Sequence, residues 1–185
     1  MKARDVLLLM LDHAGGSLQG RTLIQKRLFF LKLLMDLDLR YHPHYYGPFS
    51  PEVDNALGQC IALGLVEETS IGLANENGGF EGRRFEHRLT SDGYVVVGLI
   101  KRQEPEYSRD VAENLDRLDR AGHLNYLQLS IAAKALYDLR SKDKPVTSIG
   151  IRNEARGFGW GAPEPEVRDA VEFLEFFEFF AAKGT

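Results

Sequence analysis

Residues Tyr41 to Glu68 read YHPHYYGPFSPEVDNALGQCIALGLVEE, and no other stretch carries so strong a fold signal. It opens with alternating aromatic and polar residues, which predicts a strand-like run over 41–46. Gly47-Pro48 predicts a tight turn that aims the next element, since glycine permits positive φ and proline fixes its own. Ser50 is a good N-cap. Pro51 suits the first helical position, where its missing N–H has no partner to lose. Val53, Leu57, Cys60 and Ile61 then make one apolar helical face. Gly64 stops the helix, and Leu65-Val66 leaves it in a β-prone stretch.

Upstream, Ala3 to Ala14 predicts a first helix, ended by Gly15-Gly16. Gly20 to Met35 predicts a second, apolar on most sides, as expected of a central helix covered by its neighbours. Arg21, Gln25, Lys32 and Asp36 fall on its one polar stripe. Lys26 and Arg27 fall outside that stripe, among apolar neighbours, so the Lys26 stem is expected to be buried with its ammonium on an acid or on carbonyls. Downstream, Gly64 to Thr69 and Arg83 to Leu89 predict two strands joined through the Gly/Asn-rich loop 72–82, a hairpin signal. Thr90 or Ser91 caps a further helix beginning Tyr94-Val95-Val96-Val97. Three helices followed by a hairpin is the winged-helix plan.

Beyond residue 103 the pattern is helical. Residues 104–122 carry Val111, Leu115 and Leu118 as a thin stripe, which reads as a connector or a partner-facing seam. Leu124 to Leu139 is a better-buried helix, and Thr147 to Phe158 a short one capped by Thr147 or Ser148. Pro165 to Phe180 is a Phe-rich helix with apolar side chains on more of its circumference than one core-facing stripe needs. That excess and the 111/115/118 stripe together predict a homodimer. Pro51-Glu52-Val53 and Ala56 match Pro165-Glu166-Val167 and Ala170 at an offset of 114 residues. This suggests a second helix-turn-helix-like unit. The expected architecture is therefore mainly α with a small β-hairpin: a winged-helix domain over 1–103 and a helical unit over 104–185.

Leu23-Ile24-Gln25-Lys26-Arg27-Leu28-Phe29-Phe30 and Tyr46-Gly47-Pro48-Phe49-Ser50-Pro51-Glu52-Val53, followed by Leu63-Gly64-Leu65-Val66, resemble two related groups. These are the phage-associated Panacea antitoxin domains and the uncharacterised YwgA-type proteins. The resemblance covers about residues 20–66, with Gln25, Lys26, Tyr46, Gly47, Pro48, Ser50 and Pro51 as the shared motif positions. It departs at Ile24, where leucine is usual, and at Arg27, where an apolar residue is usual. Arg88-Leu89-Thr90-Ser91-Asp92-Gly93-Tyr94 resembles the segment that closes the wing in many winged-helix proteins. The resemblance implies a protein-binding antitoxin in one branch and no settled activity in the other.

Composition narrows the function. The chain has 185 residues, 44% of them apolar, and a net charge of −4. Residues 1–102 hold 12 Lys/Arg and 12 Asp/Glu, and the remainder hold 11 and 15, so the acidic excess is C-terminal. No strong basic field exists for nonspecific attraction to nucleic acid. One cysteine, Cys60, fits a reducing compartment, and the protein is expected to be cytoplasmic with no membrane association. His42 and His44 would need further donors to hold a metal, drawn from His13, Cys60 or His87, and the alternation around them reads more simply as strand. No Walker loop, Rossmann glycine pattern or serine elbow is present. No cofactor and no enzymatic activity are expected.

The third helix is the discriminating element. A winged-helix DNA reader inserts it into the major groove against dense negative charge. Here residues 50–64 contain Glu52 and Asp54 and no Lys or Arg. The favoured expectation is a non-enzymatic regulatory or protein-interaction module. The alternative is a dimeric winged-helix transcription regulator, with Arg21, Lys32, Arg83, Arg84 and Arg88 as candidate nucleic-acid contacts.

Overall fold

The computed structural model describes residues 2–35, 37–72, 83–122 and 124–179, with the side chains at 71, 72, 83 and 84 outside that description. The hairpin loop expected over 72–82 lies almost wholly outside the described residues, as do Asp36 and Phe180. The chain is mainly helical with one small antiparallel sheet. The N-terminal elements are α1 (Ala3–His13), β1 (Ser17–Gln19), α2 (Arg21–Met35), α3 (Pro51–Ala62), β2 (Val66–Gly72), β3 (Arg83–Leu89) and α4 (Ser91–Gln103). Four more helices follow: α5 (Pro105–Arg120), α6 (Tyr126–Ser141), α7 (Ser148–Arg156) and α8 (Glu164–Phe176).

β2 and β3 pair antiparallel from Val66–Leu89 out to Gly72–Arg83. The three-residue β1, which has no sequence signal of its own, pairs with β3 from the other side and makes the sheet order β1-β3-β2. Thr90 caps α4 through its hydroxyl, which accepts from the Gly93 amide at 3.1 Å and donates to the Gly64 carbonyl at 2.6 Å. Gly93 has to be glycine: a Cβ there would lie 2.2 Å from the Leu65 carbonyl oxygen. The Leu89-to-Gly93 exit therefore ties the start of α4 to the end of α3.

α1 is buried along six consecutive residues, Val6 to Leu11, because α3, α4, α5 and the sheet surround it. α2 is covered by α3, α5, α6 and β1, as its all-round apolarity predicts. Phe30 of α2 packs edge-on against Phe173 of α8, 4.8 Å between centroids. One apolar core runs from Val6 to Phe177 without a break at residue 103.

Two expectations change here. The 111/115/118 stripe is not a partner-facing seam, because all three side chains are buried where α5 packs on α1 and α2. The Phe-rich end is also largely internal, with Phe173 and Phe177 buried and Phe179 packed against the core. Most of the features that motivated a homodimer are thus taken up within one chain, while Phe176 stays 54% exposed. The 114-residue echo has a physical counterpart, since Val53, Ala56, Leu57 and Cys60 are buried in α3 and Val167, Ala170, Val171 and Leu174 at the same offsets in α8.

Candidate functional site

α2 and α3 are separated by a long excursion whose described residues are 37–50. The strand expected at 41–46 does not form. Only one bridge, His42 to Phe49, is present, because the backbone of 44–50 is taken up by side chains from two helices and a loop. Gln25 of α2 uses its whole amide on Ser50: Nε2 donates to the Ser50 carbonyl and Oε1 accepts from the Ser50 amide, both at 3.0 Å. The amide stands in for a neighbouring strand. It leaves the Ser50 hydroxyl free to accept from Val53 N, the N-cap that starts α3. Lys26 follows the same logic one residue on. It is 2% exposed, and its Nζ donates to the Pro48 carbonyl at 2.8 Å. Burial lowers its pKa from 10.5 to about 7, and the charge of Lys134 adds to the effect.

Gly47 sits at φ +92° and lies against the backbone of α6, where an added Cβ would be 3.1 Å from Lys134 Cβ and 3.3 Å from the Ser130 carbonyl oxygen. Its amide closes the turn onto the His44 carbonyl at 3.0 Å. Glycine is required here both for the left-handed backbone and for the close approach of loop to helix. Lys134 Nζ also donates to the His44 carbonyl at 3.4 Å. Trp160, in the loop between α7 and α8, donates from Nε1 to the Tyr45 carbonyl at 3.1 Å. Tyr41 is anchored at the other end: its hydroxyl donates to the Gln25 carbonyl at 3.3 Å, and Tyr137 donates to the Tyr41 carbonyl at 3.2 Å. Burial raises the Tyr41 phenol, with Glu52 adding to it.

A loop fixed from behind in this way presents aromatic rings outward. Tyr45 is 53% and Tyr46 45% exposed, packed edge-on at 4.8 Å. Trp160 lies 6.0 Å from Tyr46 and 5.1 Å from Phe158, and Lys134 Nζ sits 5.2 Å over the Phe158 ring. All seven motif positions, Gln25, Lys26, Tyr46, Gly47, Pro48, Ser50 and Pro51, therefore converge on this loop. Trp160, Lys134 and Tyr137 join them from the C-terminal half, and no pattern in the sequence linked those three to the motif. The pairing of a lone tryptophan with flanking glycines, Gly159-Trp160-Gly161, was the available hint.

Of the candidate nucleic-acid contacts, Arg21 and Arg88 are already paired with acids. Arg21 is bound by Glu68 at 2.8 Å and by Asp54 of α3 at 3.1 Å. Arg88 pairs with Glu86 at 3.1 Å. Lys32 is half-buried in the last turn of α2, and Arg83 and Arg84 lie at the far end of β3. The stripe expected to be exposed on α2 is interrupted by Gln25, which is buried. The Arg21 network runs on into the sheet, where buried His87 shares Glu68 Oε2 at 2.8 Å. Burial alone would raise Glu68, but the Arg21 and His87 contacts outweigh it and lower it; burial lowers His87. On α3, Glu52 accepts from both the amide and the guanidinium of Arg40. The exposed face of α3 carries Asn55, Gly58 and Gln59, and a cleft of about 340 Å³ separates Asn55 and Gln59 from Lys2 and Arg4. Cys60 is fully buried, with its thiol pushed up to about 11 by burial. Among the described residues no helix is long and apolar enough to cross a membrane.

No family model matches the chain, and no curated protein matches it either.

Proposed function

We propose that the protein is a non-enzymatic, antitoxin-like interaction module on a winged-helix scaffold, and that it holds a protein partner at Tyr45, Tyr46 and Trp160. The observation that carries this reading is the clamped loop. Buried Gln25 and Lys26 hold its backbone, so the exposed rings of Tyr45 and Tyr46, with half-buried Trp160 beside them, are pre-ordered and lose little conformational freedom on binding. Aromatic side chains in such positions are the usual anchors of protein interfaces. The scaffold reading is supported by the element order α1-β1-α2-α3-β2-β3 with its β1-β3-β2 sheet. The resemblance of residues 20–66 to a group with protein-neutralising members supports the partner class. The proposal places the protein in the cytoplasm and has two copies acting together.

DNA regulation is the second reading, and one observation favours it: Lys2 and Arg4 face Asn55 and Gln59 across the α3 cleft. Against it stand the Asp54–Arg21–Glu68 bridge and the Arg40–Glu52 pair, which neutralise the cations that touch α3.

The test is affinity capture from the native host with the full chain and with Tyr46→Ala/Trp160→Ala. A stoichiometric partner held by the wild type and lost from a double variant of unchanged melting temperature is expected. Equal capture by both chains would contradict the assigned surface.

A further inference from the structure

α4 presents a face that nothing in the described chain covers. Its inner side, Gly93, Val97 and Ile100, is buried on α1, α5 and β3. Opposite, Ser91, Asp92, Val95, Leu99 and Arg102 are exposed and Gly98 is half-exposed, with Val95 62% and Leu99 41% accessible. At 100° per residue these six span about a third of the helix circumference. The composition of this face is self-complementary. An antiparallel copy related by a twofold axis at the level of Val97 sets Val95 against Leu99, and Asp92 against Arg102. Among the described residues neither Asp92 nor Arg102 has an ionic partner, whereas neighbouring Lys101 is already committed to Asp12 at 2.6 Å. Gly98, one residue from the axis, keeps the middle of the face low. A Cβ at Gly98 would meet only the tip of Arg102, at 3.8 Å, so a second helix can approach closely. Beside the face lies an open cleft of about 650 Å³ walled partly by Val96, Leu99 and Ile100, which gives an incoming copy room to seat.

We infer that α4 is the homodimer interface, pairing antiparallel with α4 of a second copy through Val95, Gly98 and Leu99 and in a register fixed by reciprocal Asp92–Arg102 ion pairs. This rests on the second copy invoked in the proposed function and assigns its surface. Such an interface is isologous, so each contact occurs twice. The apolar pairs drive it, while the rim charges select the antiparallel register more than they add affinity. The contact is confined to one 13-residue helix per copy, so it belongs with weak interfaces and dissociation constants in the micromolar range are expected.

Sedimentation equilibrium of the full chain, at loading concentrations spanning the micromolar range, tests this. The wild type is expected to pass from monomer to dimer, and Leu99→Glu to stay monomeric at every concentration with an unchanged far-UV spectrum. Arg102→Asp should weaken the dimer about tenfold by setting acids against acids twice, and Asp92→Arg/Arg102→Asp should restore it. These two swaps alter only exposed side chains but reverse charges favourable to the ends of α4, so they are compared at matched melting temperature, and then carry the test even if Leu99→Glu affects folding. A wild type that is monomeric throughout overturns the dimer itself. A wild-type dimer indifferent to Leu99→Glu and to the swaps overturns the α4 assignment alone. Weakening without rescue by the double swap overturns the antiparallel register.

Discussion

Replacing Lys26 with methionine should stabilise the protein near neutral pH and lose that advantage as the pH rises. Lys26 has its pKa lowered from 10.5 to about 7, which at about 1.4 kcal/mol per pH unit amounts to about 5 kcal/mol. Below about pH 7 both folded and unfolded chains carry the charge, and the folded state bears the full desolvation cost. Between about pH 7 and 10.5 the folded chain has shed a proton that the unfolded chain keeps, so stability rises with pH. Above 10.5 the cost is gone. Lys26→Met removes the charge at every pH but leaves the Pro48 carbonyl without its donor, a loss of about 1–3 kcal/mol. The variant should therefore be more stable than wild type by about 2 kcal/mol or more at about pH 6.5. That advantage should shrink by about 2–3 kcal/mol on going to about pH 9. Lys26→Ala leaves the same carbonyl unpaired and adds a cavity, so it should lie about 2–5 kcal/mol below Lys26→Met at both pH values. Denaturant midpoints for the three proteins at about pH 6.5 and 9 give the differences directly, with all other titrating groups held in common. A wild-type-minus-methionine difference that does not vary with pH would refute the buried, titrating lysine.

The loop and its surroundings set further outcomes. Gln25→Leu orphans the amide of fully buried Ser50, while the Ser50 carbonyl keeps the Asp54 amide at 3.2 Å, so the variant should cost about 1–3 kcal/mol in chemical denaturation. Gly47→Ala should cost about 1–3 kcal/mol, because its φ is +92° and α6 is in contact. Gly93→Ala should cost more than Gly47→Ala, since its Cβ would meet a backbone oxygen at 2.2 Å that cannot move independently; equal melting temperatures for the two variants would contradict this. Cys60, fully buried and with its thiol raised to about 11, should react with a thiol reagent only on unfolding, and prompt labelling of the native chain would contradict its placement.

The helices were legible because their signals are local. Ser50-Pro51 caps where the sequence places it, Thr90 and Thr147 are the caps at the two sites where Ser91 and Ser148 are the alternatives, and the Gly64 stop holds. Lys26 was legible for a related reason: its apolar flanks leave a long cationic side chain nowhere to go except onto a buried acceptor. What the sequence concealed was tertiary. β1 is three residues long and exists only because β3 lies alongside it. The alternation at 41–46 imitates a strand, but Tyr137, Lys134 and Trp160 take the carbonyls of Tyr41, His44 and Tyr45 that a strand would have used. Gln25 itself looks like a solvent-facing residue on a polar stripe until Ser50 is seen against it. The stripe on α5 is the converse case, a thin apolar line that suffices for burial because α1 and α2 meet it.

Recognition through the clamped aromatic loop, and not through α3, can be put to a binding titration against genomic DNA fragments, including the protein's own upstream region, at physiological salt. No saturable binding is predicted into the micromolar range. Nanomolar, sequence-specific binding that is lost on Asn55→Ala or Gln59→Ala and kept on Arg83→Ala would contradict the loop assignment and place recognition on α3.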